Sequence, residues 1–139
     1  MKNDTDRVTP ESSAAFINRE LSWLRFARRV LELARDGEMP LLERVRFAGI
    51  LGMLHDEFFM KRISGLKRQI NAGVNKLSLD GLTPVEEFNA CRDELLAQSK
   101  ELAELMRKEL RPALAAAGCG IYDWSELSDH HRADLGEYF

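Results

Sequence analysis

Residues 40–70, PLLERVRFAGILGMLHDEFFMKRISGLKRQI, carry the pattern that decides the fold. Their first half is apolar nearly all round, which is typical of a helix buried on most of its sides. Pro40 suits the start of that helix, because the N–H that proline lacks has no helical partner there. Helical periodicity resumes after Gly52 and ends at Gly73. Since glycine is a weak helix former, we expect a break or kink near Gly52.

A shorter helix is predicted before this segment. It begins between Asn18 and Ser22, which can both cap a helix, and it ends at Arg35. Its apolar residues recur at spacings of three and four and therefore share one face, which we expect to be buried. These residues are Trp23, Phe26, Ala27, Val30 and Ala34.

The helix after this segment has the clearest start in the chain. Thr83 and Glu86 have the spacing of a capping box, and Pro84 takes the first helical position. The helix is predicted to run to about residue 117, with a kink or an early end at Pro112. Its apolar residues form a near-heptad stripe, which indicates packing along the preceding helices. The stripe comprises Phe88, Cys91, Leu95, Leu102, Leu105 and Met106.

These elements predict an all-α fold. We expect an antiparallel bundle of about four helices, in which the last is a short C-terminal helix capped by Ser128. Residues 74–82 are predicted to form a loop, and residues 118–123 an extended connector. Residues 1–15 are expected to be a disordered arm, so that the helical domain comprises residues 16–139.

The composition excludes several classes of protein. With 139 residues, of which 45% are hydrophobic and 31% charged, the chain resembles one ordinary globular domain. Two isolated cysteines provide neither a disulfide framework nor a zinc site. The polar N-terminus does not resemble a secretory signal, and no apolar run is long enough to span a membrane. We therefore expect a cytoplasmic protein.

The central segment is basic although the chain has a net charge of −3. Residues 44–76 contain seven lysines and arginines and two acidic residues, a balance that suits a polyanionic partner. The alternative is an ordinary solvated helix face. A nucleic-acid binder would depend on this stretch alone, and the acidic net charge argues against that class.

The chain lacks the common local signatures of an active site. No phosphate-binding loop or dinucleotide-binding turn is present. His130 and His131 are adjacent and therefore face different sides of a helix, so they do not form a metal pair. Asp56 and Glu57 are also neighbours that do not face each other, and we expect one of them to pair with an arginine such as Arg62. No catalytic or metal-binding residue is predicted.

Several segments resemble the N-terminal domain of polyphosphate kinases. They are FINRELSWLRFARRVLELARD (residues 16–36), the segment 40–70, DGLTPVEEF (residues 80–88) and LRPALAAAGCGIYDWSELSDHHRADLGEYF (residues 110–139). Their order and spacing match the family from residue 16 to residue 139. The combination of ELSW, DEFFM and GLKRQ is a specific signal.

The resemblance implies a phosphotransferase. Polyphosphate kinases transfer the terminal phosphate of ATP to polyphosphate with magnesium, and catalysis belongs to C-terminal domains that this chain does not contain. The N-terminal domain forms a wall at the adenine end of the nucleotide pocket and helps to pack a dimer. The partners implied are the other domains of the kinase, ATP or ADP, polyphosphate and a second subunit. Alone, the chain is expected to bind no cofactor and to be inactive.

The resemblance also implies site residues. Phe47, Leu54 and His55 are the adenine-facing candidates, although a leucine stands at position 54 where the family has an asparagine, and His55 replaces a usual leucine. Leucine can pack against a base but cannot hydrogen-bond its edge. The polyanion-facing candidates are Arg62, Lys67 and Arg68. The departure at position 54 leaves open an alternative function, a stand-alone module that binds polyphosphate or a full-length kinase.

Overall fold

The computed structural model describes residues 8–138, and these contain six α-helices and no strand. The helices are α1 (Arg19–Arg35), α2 (Leu41–Phe58), α3 (Ser64–Asn71), α4 (Pro84–Leu105), α5 (Arg111–Ala116) and α6 (Asp129–Tyr138). A π-helical turn, Phe59–Ile63, joins α2 to α3, and a second one, Met106–Leu110, joins α4 to α5. Short 3-10 turns lie at Ser13–Ala15 and Trp124–Glu126. The predicted all-α class is confirmed.

Three long helical units form the bundle: α1, α2 continued by α3, and α4 continued by α5. Helix α1 packs against α2 and α4. Helix α3 packs against α4, whereas α2 packs against the π-helical turn at the other end of α4. The second and third units therefore run antiparallel, as short connections between packed helices favour.

Two apolar clusters form the core. The larger cluster joins α1 and α2 to the second π-helical turn, and its buried residues are Ala27, Val30, Leu31, Ala34, Ala48, Leu51, Leu105 and Leu110. The smaller cluster comprises Leu24, Phe58, Ile63, Cys91 and Leu95. Trp23 packs against both clusters, and its ring stacks on Phe58 with centroids 4.9 Å apart. The α4 stripe predicted from the sequence supplies part of each cluster.

The predicted helix ends agree with the caps in the structure. Asn18 accepts a hydrogen bond from the Leu21 N–H at 2.9 Å and caps α1. Thr83 and Glu86 form the predicted capping box at the start of α4. Gly73 follows α3 with a φ of 68°, a left-handed conformation that glycine adopts without strain.

Two local expectations need correction. Phe26 is 53% exposed, because Leu24 and Leu31 occupy the buried face of α1 beside Ala27. Helix α2 continues through Gly52 without a break, since the neighbouring Leu51 is fully buried and holds the helix in the core. The irregularity lies instead at Phe59–Ile63.

Pro112 does not end the third helical unit. The second π-helical turn directly precedes α5, and helix α5 then runs to Ala116 with Pro112 in its first turn. The wider turn accommodates the proline ring and its missing N–H, which an unbroken α-helix would not.

The C-terminal helix α6 differs from the others because it contains no buried residue. Ser128 caps it by accepting a hydrogen bond from the His131 N–H at 3.2 Å, as predicted. Arg132 of α6 donates to the carbonyl oxygens of Trp124 and Ser125 in the preceding 3-10 turn. Of the predicted disordered arm, residues 1–7 lie outside the described residues. No helix between residues 8 and 138 is long and apolar enough to cross a membrane.

Candidate functional site: a groove between α2–α3 and α4

A groove of about 350 Å³ lies between the second helical unit and α4. We call it the α4 groove. One wall consists of His55, Asp56, Phe59, Ile63 and Lys67, and the other of Phe88, Arg92, Leu95, Leu96 and Ser99. Its walls are apolar and its polar groups lie at the rim, which is the usual construction of a site for a small organic ligand.

The π-helical turn opens this groove. Phe58, the last residue of α2, and Ile63, the last residue of the turn, are both buried in the smaller cluster. Phe59 lies between them and is 60% exposed in the groove. The Ser64 hydroxyl donates to the carbonyl oxygen of Met60 within the turn. Such side-chain bonds to the backbone widen and bend helices, so that a residue next to the core is presented to solvent.

His55 forms the polar corner of the groove together with a buried glutamine. The His55 Nε2 atom lies 2.9 Å from Gln98 Oε1. Gln98 is fully buried in the α4 stripe, and its Nε2 donates to the Leu24 carbonyl oxygen at 2.9 Å and to Glu94 Oε1 at 2.7 Å. All the hydrogen-bonding positions of this amide except one lone pair are therefore used inside the protein.

A chain of ion pairs continues from Gln98 across the bundle. Arg28 of α1 donates to Glu94 at 2.8 Å and to Glu101 at 3.0 Å, and Arg35 donates to Glu101 at 3.1 Å. Burial opposes ionisation of Glu94, but hydrogen bonds from Arg28 and Gln98 outweigh it and lower the pKa of this carboxyl. Hydrogen bonds to Glu94 and Glu101 raise the pKa of Arg28 above its usual range. The Arg28–Glu94 ion pair therefore remains ionised at neutral pH.

The three adenine-facing candidates do not share one surface. Phe47 and Leu54, seven residues apart on α2, are partly buried and pack against the larger cluster. His55 follows Leu54 and therefore projects about 100° further round the helix, where it lines the α4 groove. Of the three, only His55 contributes to that groove.

The polyanion-facing candidates are also divided. Arg62 lies 3.6 Å from Glu20, which is nearly buried and also accepts hydrogen bonds from Arg19. Lys67 lines the α4 groove, and Arg68 is exposed one residue further along α3. Neither Lys67 nor Arg68 has an ion-pair partner within the described part of the chain. Lys67 and Arg68 are therefore the more available cations.

The acidic pair on α2 has a different partner from the arginine that the sequence indicated. Glu57 pairs with Lys61 at 2.6 Å, and the hydrogen bond from Lys61 lowers the pKa of Glu57. Asp56 is exposed at the rim of the groove. Neither arrangement is that of a general acid–base pair.

A second cavity, of about 370 Å³, lies where α1 begins. Asn18 Nδ2 donates there to Asp80 at 3.2 Å and to Glu87 at 2.8 Å, which ties the 74–82 loop to α1 and α4. Burial, together with the nearby carboxylates of Glu87 and Glu20, raises the pKa of the Cys91 thiol to about 12. That thiol is not a nucleophile at neutral pH. The hydrogen bonds of Asn18 therefore hold the start of α1, the 74–82 loop and α4 together.

The polyphosphate kinase N-terminal domain model matches residues 16–122 of the chain. The chain belongs to this family. A polyphosphate kinase of Mycobacterium marinum is 42% identical over 124 residues, which are 89% of this chain and 17% of that protein. Polyphosphate kinase 1 of Chlorobaculum tepidum is 42% identical over 125 residues, 89% of this chain and 18% of that protein. That of Prochlorococcus marinus is 40% identical over 128 residues, 92% of this chain and 18% of that protein.

The chain therefore spans less than a fifth of the length of these polyphosphate kinases. No significant match to a solved structure was found. No group of three or more potential metal ligands occurs among residues 8–138.

The sequence did not reveal the most informative residues of this polyphosphate kinase domain. Gln98 falls in a gap of the α4 stripe between Leu95 and Leu102, at the spacing of a core position, and that gap was the one available signal. The sequence does not show that Phe58 is buried and Phe59 exposed. This difference arises from the π-helical turn, which places Phe58 in the core and Phe59 in the groove. Leu96 is 63% exposed and lies outside the stripe.

Proposed function

We propose that this chain is the helical N-terminal domain of an enzyme that transfers the terminal phosphate of ATP to polyphosphate, and that the α4 groove faces the adenine end of the nucleotide. Membership of the polyphosphate kinase N-terminal domain family supports the first part. The groove supports the second. It joins an exposed aromatic ring, a histidine and a lysine on the helical segment that contains all the candidate site residues.

The apolar wall of the groove suits a flat base. Phe59 presents an exposed ring, and Leu96 faces it from α4 within the same groove. Stacking of a base on an aromatic ring contributes about 1–3 kcal/mol. We assign the base contact to Phe59 and His55 first. Leu54 and Phe47 remain candidates for a contact at the other edge of α2, where their partly buried side chains offer packing rather than hydrogen bonds.

The cations at the groove suit the phosphates of a nucleotide or of polyphosphate. Phosphoryl transfer depends on positioning and on neutralisation of negative charge. Lys67 and Arg92 line the groove, although Arg92 pairs with Asp93 at 3.0 Å, and Arg68 follows on α3. Arg62 is a weaker candidate, because its side chain is drawn toward Glu20. This domain thus guides the polyanion, while catalysis belongs to domains beyond it.

A role in dimer packing is the third part of the proposal. Met53 and Met60 are large apolar side chains that are more than half exposed on α2 and the first π-helical turn. Exposed apolar side chains of this size are typical of surfaces covered by another domain or subunit.

The test is an assay of the intact protein that contains this chain. We expect ATP-dependent synthesis of polyphosphate by the intact protein and none by the 139-residue chain alone. An intact product that ends at residue 139 and binds polyphosphate or a full-length kinase would instead support the alternative of a stand-alone interaction module. The substitution Leu54→Asn tests whether the side of α2 that carries Leu54 contacts the nucleotide. An unchanged KM for ATP in that variant removes Leu54 from the nucleotide site.

A further inference from the structure

We propose that Arg111 is a latch that holds residues 121–138 against the bundle, and that these residues swing about Gly120 as one unit when the latch opens. We call residues 121–138 the C-terminal segment. It contains the 3-10 turn Trp124–Glu126 and α6. This inference goes beyond the proposed function and does not depend on the α4 groove. It assigns a positioning role to Arg111.

Few bonds hold the C-terminal segment to the bundle. None of its residues is buried, and none belongs to either apolar cluster. Among the described residues up to 137, the hydrogen bonds and ion pairs that cross from the segment to the bundle all involve Arg111. Its Nη2 atom donates to the Ile121 carbonyl oxygen at 2.9 Å and lies 3.6 Å from Glu126 Oε2. One side chain of α5 therefore carries the polar attachment.

This attachment is of a kind that breaks and re-forms readily. The side chain of Arg111 is 39% exposed and that of Glu126 is 52% exposed, and solvent screens an ion pair at such exposure. A cavity of about 330 Å³ separates part of the bundle from the segment. Arg107 and Pro112 line it from the bundle, and Tyr122 lines it from the segment. The latch thus spans a gap that leaves room for movement.

Bonds inside the C-terminal segment make it a unit. The Asp123 N–H donates to Glu126 Oε2 at 2.6 Å within the 3-10 turn. Arg132 of α6 donates to the carbonyl oxygens of Trp124 at 3.2 Å and of Ser125 at 3.1 Å. Its guanidinium also lies 6.0 Å from the centroid of the Trp124 ring. The 3-10 turn and α6 are therefore tied to each other directly and move together.

The backbone before the segment provides a hinge at Gly120. Helix α5 is closed just before it, because Gly118 has a φ of 80° and the Cys119 N–H donates to the Leu114 carbonyl oxygen at 2.9 Å. The next residue is Gly120, and glycine has the most permissive backbone. A Cβ atom there would lie 2.2 Å from the Tyr122 ring, so only glycine fits without moving that ring. The family model also ends at residue 122, beside this hinge.

The latch has a consequence for the intact protein. The chain spans less than a fifth of the length of its polyphosphate kinase relatives, and the family that it matches is an N-terminal domain. In a protein of that length, the C-terminal segment leads from this domain into the rest of the chain. A closed latch fixes the direction in which the chain continues, and an open latch releases it.

The decisive experiment follows the cleavage of the intact protein by a low concentration of chymotrypsin, which cuts after aromatic residues. Tyr122 and Trp124 follow the hinge directly, and mass spectrometry identifies the fragments that end there. The rate of such cleavage tracks the population of the open form. Arg111→Ala should raise the rate of cleavage after Tyr122 and Trp124 about three- to tenfold, the effect of losing a hydrogen bond from a charged group at a half-exposed site.

Arg107→Ala is the matched control. Arg107 lines the same cavity one turn before Arg111, but it forms no hydrogen bond or ion pair with the described residues of the segment. Its removal should leave the rate of cleavage unchanged. Glu126→Gln keeps an oxygen that accepts from the Asp123 N–H and removes the charge that faces Arg111, and it should raise the rate about twofold.

Backbone hydrogen exchange, measured by mass spectrometry on the same variants, separates a latch from a support of the bundle. A helix as short as α6 is marginally stable when nothing anchors it. Exchange in the C-terminal segment should therefore be faster in Arg111→Ala than in the unmodified protein. Exchange in α1 and α4 should be unchanged, because Arg111 lies outside both apolar clusters.

The outcomes decide the inference without an assay of kinase activity. Equal rates of cleavage in Arg111→Ala and Arg107→Ala contradict it. Faster exchange in α1 and α4 of Arg111→Ala also contradicts it, since Arg111 would then support the bundle itself. Should Arg111→Ala not fold, Glu126→Gln tests the latch from its other side, and an unchanged rate of cleavage in that variant overturns the proposal.

Discussion

The two ends of the bundle use helices α2 and α4 in different ways. At the larger cluster, apolar side chains from α1, α2 and the second π-helical turn close around Leu51 and Leu110, which are fully buried. At the smaller cluster, the π-helical turn moves Phe59 outward and Gln98 interrupts the apolar stripe. At the first end, Arg44 adds to this packing by donating to the Ala34 carbonyl oxygen and pairing with Glu109. The second end combines a smaller core with a polar network and the α4 groove.

This difference indicates a division of labour along the same helices. Apolar packing at the closed end stabilises the fold. At the open end, exposed apolar residues such as Phe59 and Leu96 contribute little to stability and are available for recognition. The predictions below test this division.

The largest expected effect is the loss of a leucine from the closed end. Leu51→Ala should lower the free energy of unfolding by about 2–5 kcal/mol, because it leaves a cavity in a fully packed cluster. The matched change Leu96→Ala removes the same atoms from an exposed wall of the groove. It should change the free energy of unfolding by less than about 0.5 kcal/mol. Urea unfolding followed by circular dichroism measures both. Equal losses would mean that the groove is part of the core.

The next effect concerns the polar network at the open end. Gln98→Leu should cost about 1–3 kcal/mol, because it removes the hydrogen-bond partner of His55 and of the Leu24 carbonyl oxygen, whereas Glu94 keeps Arg28. Adding His55→Leu should recover part of that loss, since both members of one hydrogen bond are then apolar. A double-mutant cycle by urea unfolding measures the coupling. Strictly additive losses would show that the two residues do not interact.

A smaller effect is expected at the helix caps. Thr83→Ala removes the capping box of α4 and should cost about 1 kcal/mol, because α4 packs along its length. Ser128→Ala removes the cap of α6 and serves as the control. Since α6 buries no residue, its cap should affect the global unfolding measured by urea much less. The reverse order would place α6 within the cooperative core.

The smallest effect depends on pH. The folded pKa of Glu94 is lowered, so its ion pair with Arg28 stabilises the fold fully above the ordinary carboxyl pKa of 4.5. This contribution is lost as the pH falls through the lowered pKa. In Glu94→Gln, the free energy of unfolding should therefore decrease less between neutral and acidic pH than in the unmodified protein. Urea unfolding at several pH values measures this decrease. The effect is modest, because the carboxyl is partly exposed and solvent screens it. An equally steep decrease in Glu94→Gln and in the unmodified protein would contradict this prediction.

Much of the fold could be predicted from the sequence, because its signals are local. The capping box at Thr83, the cap at Asn18 and the stripe on α4 all depend on residues a few positions apart. The errors arose where tertiary packing decides. Gly52 remains helical because Leu51 is anchored in the core, and Phe26 is exposed because other apolar residues fill the buried face of α1.

The candidate site could be predicted only in part. The resemblance indicated the segment that contains His55 and Lys67, which the structure brings together in one groove. It did not indicate that Leu54 projects elsewhere, because one residue along a helix turns the side chain by about 100°. The contribution of Gln98 depends on a hydrogen bond to a residue 43 positions away, and no local pattern encodes it.

One measurement tests most directly whether the open end serves nucleotide recognition. Phe59 and Phe26 are exposed to similar extents, 60% and 53%, but only Phe59 lines the α4 groove. The KM for ATP of the intact protein should rise at least about fivefold in Phe59→Ala, through loss of stacking. Phe26→Ala should leave it unchanged. Equal values in the two variants, or an increase in Phe26→Ala alone, would contradict the assignment of the α4 groove to the nucleotide.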